Sequence, residues 1–405
     1  MKKTLGLLIA VLVAAMIVAG FAPAPQETLT VAARGGTHVD VMNAVKADFE
    51  KENNCTVNIL GLESADLQQK IALDAANSTG EFDVIMSDDP WITELAESGV
   101  LADLTKMGYT ADPDFTPLSI KVGQYPYGEG DIYALPFSGN VMLFFYNKDV
   151  FQKLGFDVPT DWQTVLADAK AAKAAGYIGY VIRGQQGNPI VTDYLPILWS
   201  YGGNVVDKDM NVTINSKEAA DALDLYKELL ANGANYEKND IVAAVADGKA
   251  AMSLGWPSWY ISGNTSKAAY APIPGKVSPD AKANGSGMLG NWLMGVTANS
   301  KNKELALKFL EYVTSADAQK KGADVGGVPT RTSVLSDPDL VAKFPHYPAL
   351  LDAMNNSVVR PRTPLWSAME TALGVELSNA ISGTKSTADA LKDAADAITK
   401  IIAEG

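Results

Sequence analysis

Apolar and polar positions alternate along this chain in a repeating rhythm of short apolar runs followed by segments with helical spacing. Leu29 to Ala33 reads as a strand, and Val39 to Glu52 follows as a helix with Met42, Val45 and Phe49 on one face. Val57 to Leu60 and Leu67 to Ala76 repeat the unit. Val84 to Met86 is a third buried run, closed by the polar and aromatic turn Ser87 to Trp91 before an amphipathic helix. Tyr125 to Pro136 interrupts the rhythm with Gly, Tyr and Pro and is expected to approach a hinge.

Val141 to Tyr146 opens a second series. Thr160 with Gln163 predicts a capping box for a helix reaching Lys173, Tyr180 to Ile182 a strand, and Thr192 to Ser200 a helix. A hairpin-like stretch over Asn204 to Ile214 precedes a helix from Ser216 to Asn232. In that stretch Asp207 and Asp209 read as turn residues in preference to metal ligands. Ala250 to Leu254 is a strand running into Gly255 to Trp259. Pro272 to Gly287 is rich in Pro, Gly and Ser, as a crossover would be. The strand Met294 to Thr297, the helix Lys303 to Ser315 and a helical tail complete the pattern, which argues for α/β layers.

Composition narrows the setting. Met1 to Ala24 has a secretion leader's layout: Lys2 and Lys3, an apolar stretch from Leu5, then small residues and Pro23. A secreted or periplasmic location is expected, with the leader cleaved; a retained anchor is the alternative. No Cys ends that segment, so a lipid-anchored route is not expected, and the one cysteine, Cys55, reads as a small buried hydrophobe. The net charge of −14 becomes −16 without Lys2 and Lys3, which disfavours nucleic-acid binding. About 380 remaining residues exceed what one core serves, so two domains are expected.

The turn after Met86 carries the first functional signal. Asp88 and Asp89 accept hydroxyl hydrogen bonds, and the Trp91 indole covers the C–H side of a polyol, at a strand end where open α/β sheets place ligands. Only His38 and His346 are present, no G-x-S-x-G elbow exists, and adjacent carboxylates rarely flank one glycosidic bond. A secreted glycoside-active enzyme is therefore the weaker reading; neither a metal nor a cofactor is expected.

Six ordered segments resemble one family. They are FDVIMSDDPWITELAESGVLADL from Phe82, LFFYNKDVFQKLGFDVPTDWQTVL from Leu143, and WSYGGNVVDKDMNVTINSKEAADAL from Trp199. GKAAMSLGWPSW from Gly248, LGNWLMGVTANSKNKELALKFLEYVTSADAQ from Leu289 and GVPTRTSVLSDPDL from Gly327 follow. Together they resemble the extracellular solute-binding proteins of ABC importers, the group that includes maltose-binding protein. The resemblance implies a two-lobe periplasmic-binding-protein fold of α/β class, with three interlobe crossings and a ligand cleft between the lobes. It puts residues 25–137 and 274–329 in one lobe and 138–273 and 330–405 in the other, crossing near Pro136 to Asn140, Ala271 to Pro274 and Pro329 to Arg331.

The ligand-binding positions so implied are Arg34, Gly35, Asp88, Asp89, Trp91, Phe137, Asn140, Trp199, Tyr201, Gly202, Trp256, Trp259, Gly290, Asn291, Trp292, Arg331 and Trp366. Other roles stay open for several: turn glycines at Gly202 and Gly290, packing for Phe137, Trp259 and Trp366, and an ion pair of Arg331 with Asp88 or Asp89. Ser87 and Ser258 stand where maltodextrin-binding members carry aromatics, so a mono- or disaccharide or polyol fits better than a long oligosaccharide. The implied partners are that ligand and the ABC permease, with the chain a monomer. A betaine, polyamine or peptide ligand, or a chemosensory partner, remains the alternative within the same fold.

Overall fold

The apolar runs pair into two five-stranded sheets and a small ribbon. The computed structural model describes residues 26–260, 267–275 and 287–405. The expected leader over 1–24 lies outside them, as does most of the Pro/Gly/Ser-rich crossover. In chain order the strands are β1 (Glu27–Arg34), β2 (Cys55–Leu62), β3 (Val84–Asp88), β4 (Gln124–Tyr125), β5 (Asp131–Ile132) and β6 (Leu135–Ser138). β7 (Leu143–Asn147), β8 (Ile178–Ile182), β9 (Ala234–Asn235), β10 (Ala250–Gly255), β11 (Ala268–Ala271) and β12 (Trp292–Val296) follow.

The first lobe's sheet runs β2-β1-β3-β12-β6, parallel except for β12. Both faces are covered by helices, which is why β1 reads as nearly continuous apolar sequence. Leu29, Val31 and Ala33 pack with Met42, Val45 and Phe49 of the helix Thr37–Asn53 and with Phe309. Ala32 and Ile85 face the other way, against Leu67, Ile71 and Ile92. Cys55 is buried in this lobe.

The second lobe's sheet runs β11-β7-β10-β8-β9, with β7 antiparallel to both neighbours. Phe144, Tyr180 and Met252 share one core with Trp162, Tyr194, Tyr226, Trp366 and Leu373. Phe145 and Val181 share another with Val245, Tyr347 and Leu350. The C-terminal helices thus clothe both faces of this sheet.

Several local expectations shift. The helix expected to open on Thr160 and Gln163 spans Trp162–Ala174, and its cap is Asp161, whose carboxylate accepts from the Thr164 N–H at 2.8 Å. The helix read as Thr192 to Ser200 begins at Asn188; it is buried almost all round, so no amphipathic stripe marks its first turn. Tyr125 to Pro136 contains the β4–β5 ribbon and the start of β6. The helix Lys238–Ala246, with Ile241, Ala244 and Val245 buried at helical spacing, and strands β9 and β11 add to the elements expected.

Chain segments joining the lobes run side by side. Gly139 donates to the Val328 carbonyl at 2.9 Å, and Gly290 to the Asn140 carbonyl at 3.0 Å. Gly275 pairs with Asp161 of the second lobe, and Met142 donates to the Met288 carbonyl at 2.8 Å. A further strap, unforeseen in the sequence, adds to these: Val358 bridges Met288, and the chain continues to Arg360 and Arg362 on the first lobe.

Candidate functional site

Strand direction builds the site. β1 ends at Arg34, β3 at Asp88, β8 one residue before Arg183 and β10 one before Trp256, and all four side chains meet in one interlobe cleft. Antiparallel β12 begins at the same edge, where Trp292 pairs with Asp88. The cleft, with its open mouth, spans about 890 Å³.

Three indoles wall it: Trp292 from the first lobe, Trp256 and Trp259 from the second. Trp292 meets Trp91 edge-on at 5.7 Å and His38 at 5.6 Å, so its ring is braced from behind. Trp256 lies against Gly290, where any side-chain carbon would overlap its six-membered ring. That close approach explains the glycine. Asn140 adds an amide, whose oxygen accepts from the Ser258 N–H at 3.3 Å.

The floor is a buried charge network. Arg360 grips Asp88 with both terminal nitrogens, at 2.9 and 2.7 Å, and reaches Asp89 at 3.0 Å. Arg362 bonds Asp89 at 2.8 Å and the Val122 carbonyl at 2.9 Å. Burial opposes the Arg360 charge, yet Asp88 and Asp89 outweigh it and raise its pKa. Burial raises the pKa of Asp89 against the pull of Arg360. Glu370, 4.0 Å from Arg360 and accepting from Asn188 at 3.1 Å, is pushed up to about 7 by burial, with Arg360 opposing and Asp88 reinforcing.

The upper walls carry Arg34, Arg183 and Lys238. Burial first, and Arg34 among the neighbouring charges, lower the pKa of both Arg183 and Lys238. His38 is pushed down to about 3 by burial and then by Arg34, which keeps its imidazole neutral at pH 7.

Of the positions singled out in the sequence, Arg34, Gly35, Asp88, Asn140, Trp256, Trp259, Gly290 and Trp292 come together here. The others do not. Asp89 is fully buried in its arginine contacts. Trp91 sits behind Trp292, and Phe137 packs in the first-lobe core beside His38. Asn291 is buried and donates to Ser119 at 2.6 Å. Trp199, Tyr201 and Gly202 lie at the far end of the helix Asn188–Ser200, about 20 Å from its cleft end by helical rise. There Trp199 packs on the core, the Tyr201 hydroxyl accepts from Gln163, and Gly202 takes a positive φ to end the helix. Arg331 pairs with Asp112 and Asp114, not Asp88 or Asp89, over the Phe115 ring. Trp366 is a core residue, 1% exposed.

Sequence reading missed Arg183, Asn188, Lys238 and Arg360 at the cleft. Arg183 had a usable signal, since it directly follows the predicted strand Tyr180 to Ile182. Arg360 had none, because its carboxylate partners lie 272 and 271 residues away.

The family of bacterial extracellular solute-binding proteins matches residues 35–320. A Sinorhizobium fredii protein named a probable amino-acid ABC transporter periplasmic-binding protein is 25% identical over 342 residues, 80% of this chain and 77% of its own. The maltose-bound MalE3 of T. maritima superposes with a TM-score of 0.83 at 26% identity, over 92% of this chain and 99% of that one. The GacH receptor of Streptomyces glaucescens, solved unliganded and with acarbose, gives 0.82 at 26% identity, over 93% and 99%.

Proposed function

This chain belongs to the bacterial extracellular solute-binding proteins, and from that premise we propose that it is the substrate-binding subunit of an ABC importer, capturing a small sugar or polyol. The cleft walled by Trp256, Trp259 and Trp292 from both lobes carries the reading. Indole faces cover the C–H side of a sugar ring while Asn140, Asn188 and Arg34 offer hydrogen bonds to hydroxyls. Maltose in the similar MalE3 structure supports the same ligand class. Asp88 keeps little acceptor capacity, since Arg360 and the Asp89 N–H already use three of its lone-pair positions.

Binding, not chemistry, is the task. The adjacent carboxylates Asp88 and Asp89 are both committed to arginines, which leaves neither as a free acid or nucleophile for glycoside cleavage. The protein works as a secreted monomer, its leader removed, and hands ligand to a permease when the lobes close on it.

A thermal-shift screen tests this with mono- and disaccharides, polyols, betaines, amino acids and oligopeptides. At about a hundred times its dissociation constant, a true ligand adds roughly 2.7 kcal/mol of stability. A response confined to one saccharide or polyol class is expected. A response confined to betaines, amino acids or peptides overturns the sugar assignment.

A further inference from the structure

The cleft's charge does not match a neutral sugar. In a chain of net charge −14, Arg34, Arg183 and Lys238 line one cavity from both lobes. Arg34 has a partner, Glu63 at 2.6 Å, whose side chain is 78% exposed. Among the described residues neither Arg183 nor Lys238 forms an ion pair. Both instead lie over the Trp259 ring, at 5.0 and 5.7 Å from its centre. Asp193, the carboxylate nearest Arg183 in sequence, accepts its backbone N–H and the Tyr226 hydroxyl and faces the core. Asp88, the carboxylate lining the cleft itself, is neutralised by Arg360.

Backbone dipoles add to the same sign. The helices Thr37–Asn53, Ser64–Asn77, Asn188–Ser200 and Lys238–Ala246 each place their first residue on the cleft wall, and none has a side-chain cap bond at that end. Their unsatisfied N–H groups present partial positive charge there.

We infer that the ligand is an acidic saccharide, whose anionic substituent is held between Arg183 and Lys238 beside Trp259 while its ring lies against the indoles. The inference rests on the sugar-binding reading above and narrows it. Carboxylate, phosphate and sulfate share the chemistry that a guanidinium and an ammonium recognise.

Calorimetric titration of the leaderless protein with matched pairs tests it. Galacturonic acid and its dimer are compared with galactose and its dimer, and glucose 1-phosphate and glucose 6-sulfate with glucose. One acidic member is expected to bind at least about tenfold more tightly than its neutral twin, as charge-assisted hydrogen bonds allow. That preference is expected to shrink as sodium chloride rises, and the preferred arm names the anionic group. Arg183→Gln and, independently, Lys238→Gln are each expected to lower the acid-to-neutral affinity ratio about tenfold. Neutral twins binding as well as acids, or both variants weakening acid and neutral ligands equally, overturns the charge assignment and leaves sugar binding standing. Binding of no saccharide of either kind overturns the sugar-binding reading, and the inference falls with it.

Discussion

At the scale of single residues, the site depends on contacts that no one residue type announces. Gly290 matters through the space it leaves for the Trp256 ring. Gly290→Ala is expected to displace that indole and weaken ligand binding by roughly 2 kcal/mol, as loss of a buried aromatic anchor does; calorimetry on the variant checks this, and unchanged affinity would remove Trp256 from the site. Titration supplies a second residue-scale prediction. Glu370 is held near 7 in the fold, against 4.5 ordinarily, by burial with Arg360 opposing and Asp88 reinforcing. The folded chain therefore binds more protons than the unfolded chain between those values, and stability falls as pH rises through them. Asp193, pushed up to about 6 by burial, acts in the same sense. His38, pushed down to about 3, acts oppositely: its contribution is present above about 6.5 and lost as pH falls below it. Glu370→Gln is expected to flatten the decline in melting temperature between pH 5 and 7.5, measured by differential scanning calorimetry. Aromatic and acidic candidates were readable here because strand ends could be found; which of them face the cleft was not, since Asp88 and Asp89 are neighbours with opposite fates.

At the scale of elements, strand direction did most of the placing, and it was legible. Apolar runs over β1, β3, β8 and β10 located the four ends that meet in the cleft. What stayed hidden were elements without a one-sided pattern, such as the first turn of the helix Asn188–Ser200, and contacts made far along the chain. The strap carrying Arg360 and Arg362 is the main example, because nothing local in RPRTPLW marks an arginine destined for a carboxylate on another lobe. Its removal should be felt strongly. Arg360→Gln leaves Asp88 and Asp89 buried with one cation fewer, and a loss of about 3–5 kcal/mol is expected from urea denaturation. A loss below 1 kcal/mol would mean that water replaces the guanidinium freely. The double variant with Asp88→Asn is expected to recover part of the loss, since it removes the uncompensated charge as well.

At the scale of the whole molecule, two sheets joined by adjacent hinge segments make lobes able to close, and a ligand drives closure only by binding the closed form better. Contacts already span the cleft's rim: Ser367 donates to Glu94 at 2.9 Å and accepts from Gln68 at 3.3 Å. Arg34 meanwhile repels Arg183 and Lys238 across it. Small-angle scattering is therefore expected to show a smaller radius of gyration at ligand saturation than without ligand. An unchanged radius would indicate a cleft that fills without moving. The distribution of tryptophan has a practical consequence as well. Trp256, Trp259 and Trp292 line the cleft, while Trp91, Trp162, Trp199 and Trp366 pack elsewhere. Occupancy thus changes the surroundings of three of the seven fluorophores directly, and the protein carries its own optical gauge of solute, readable without a dye.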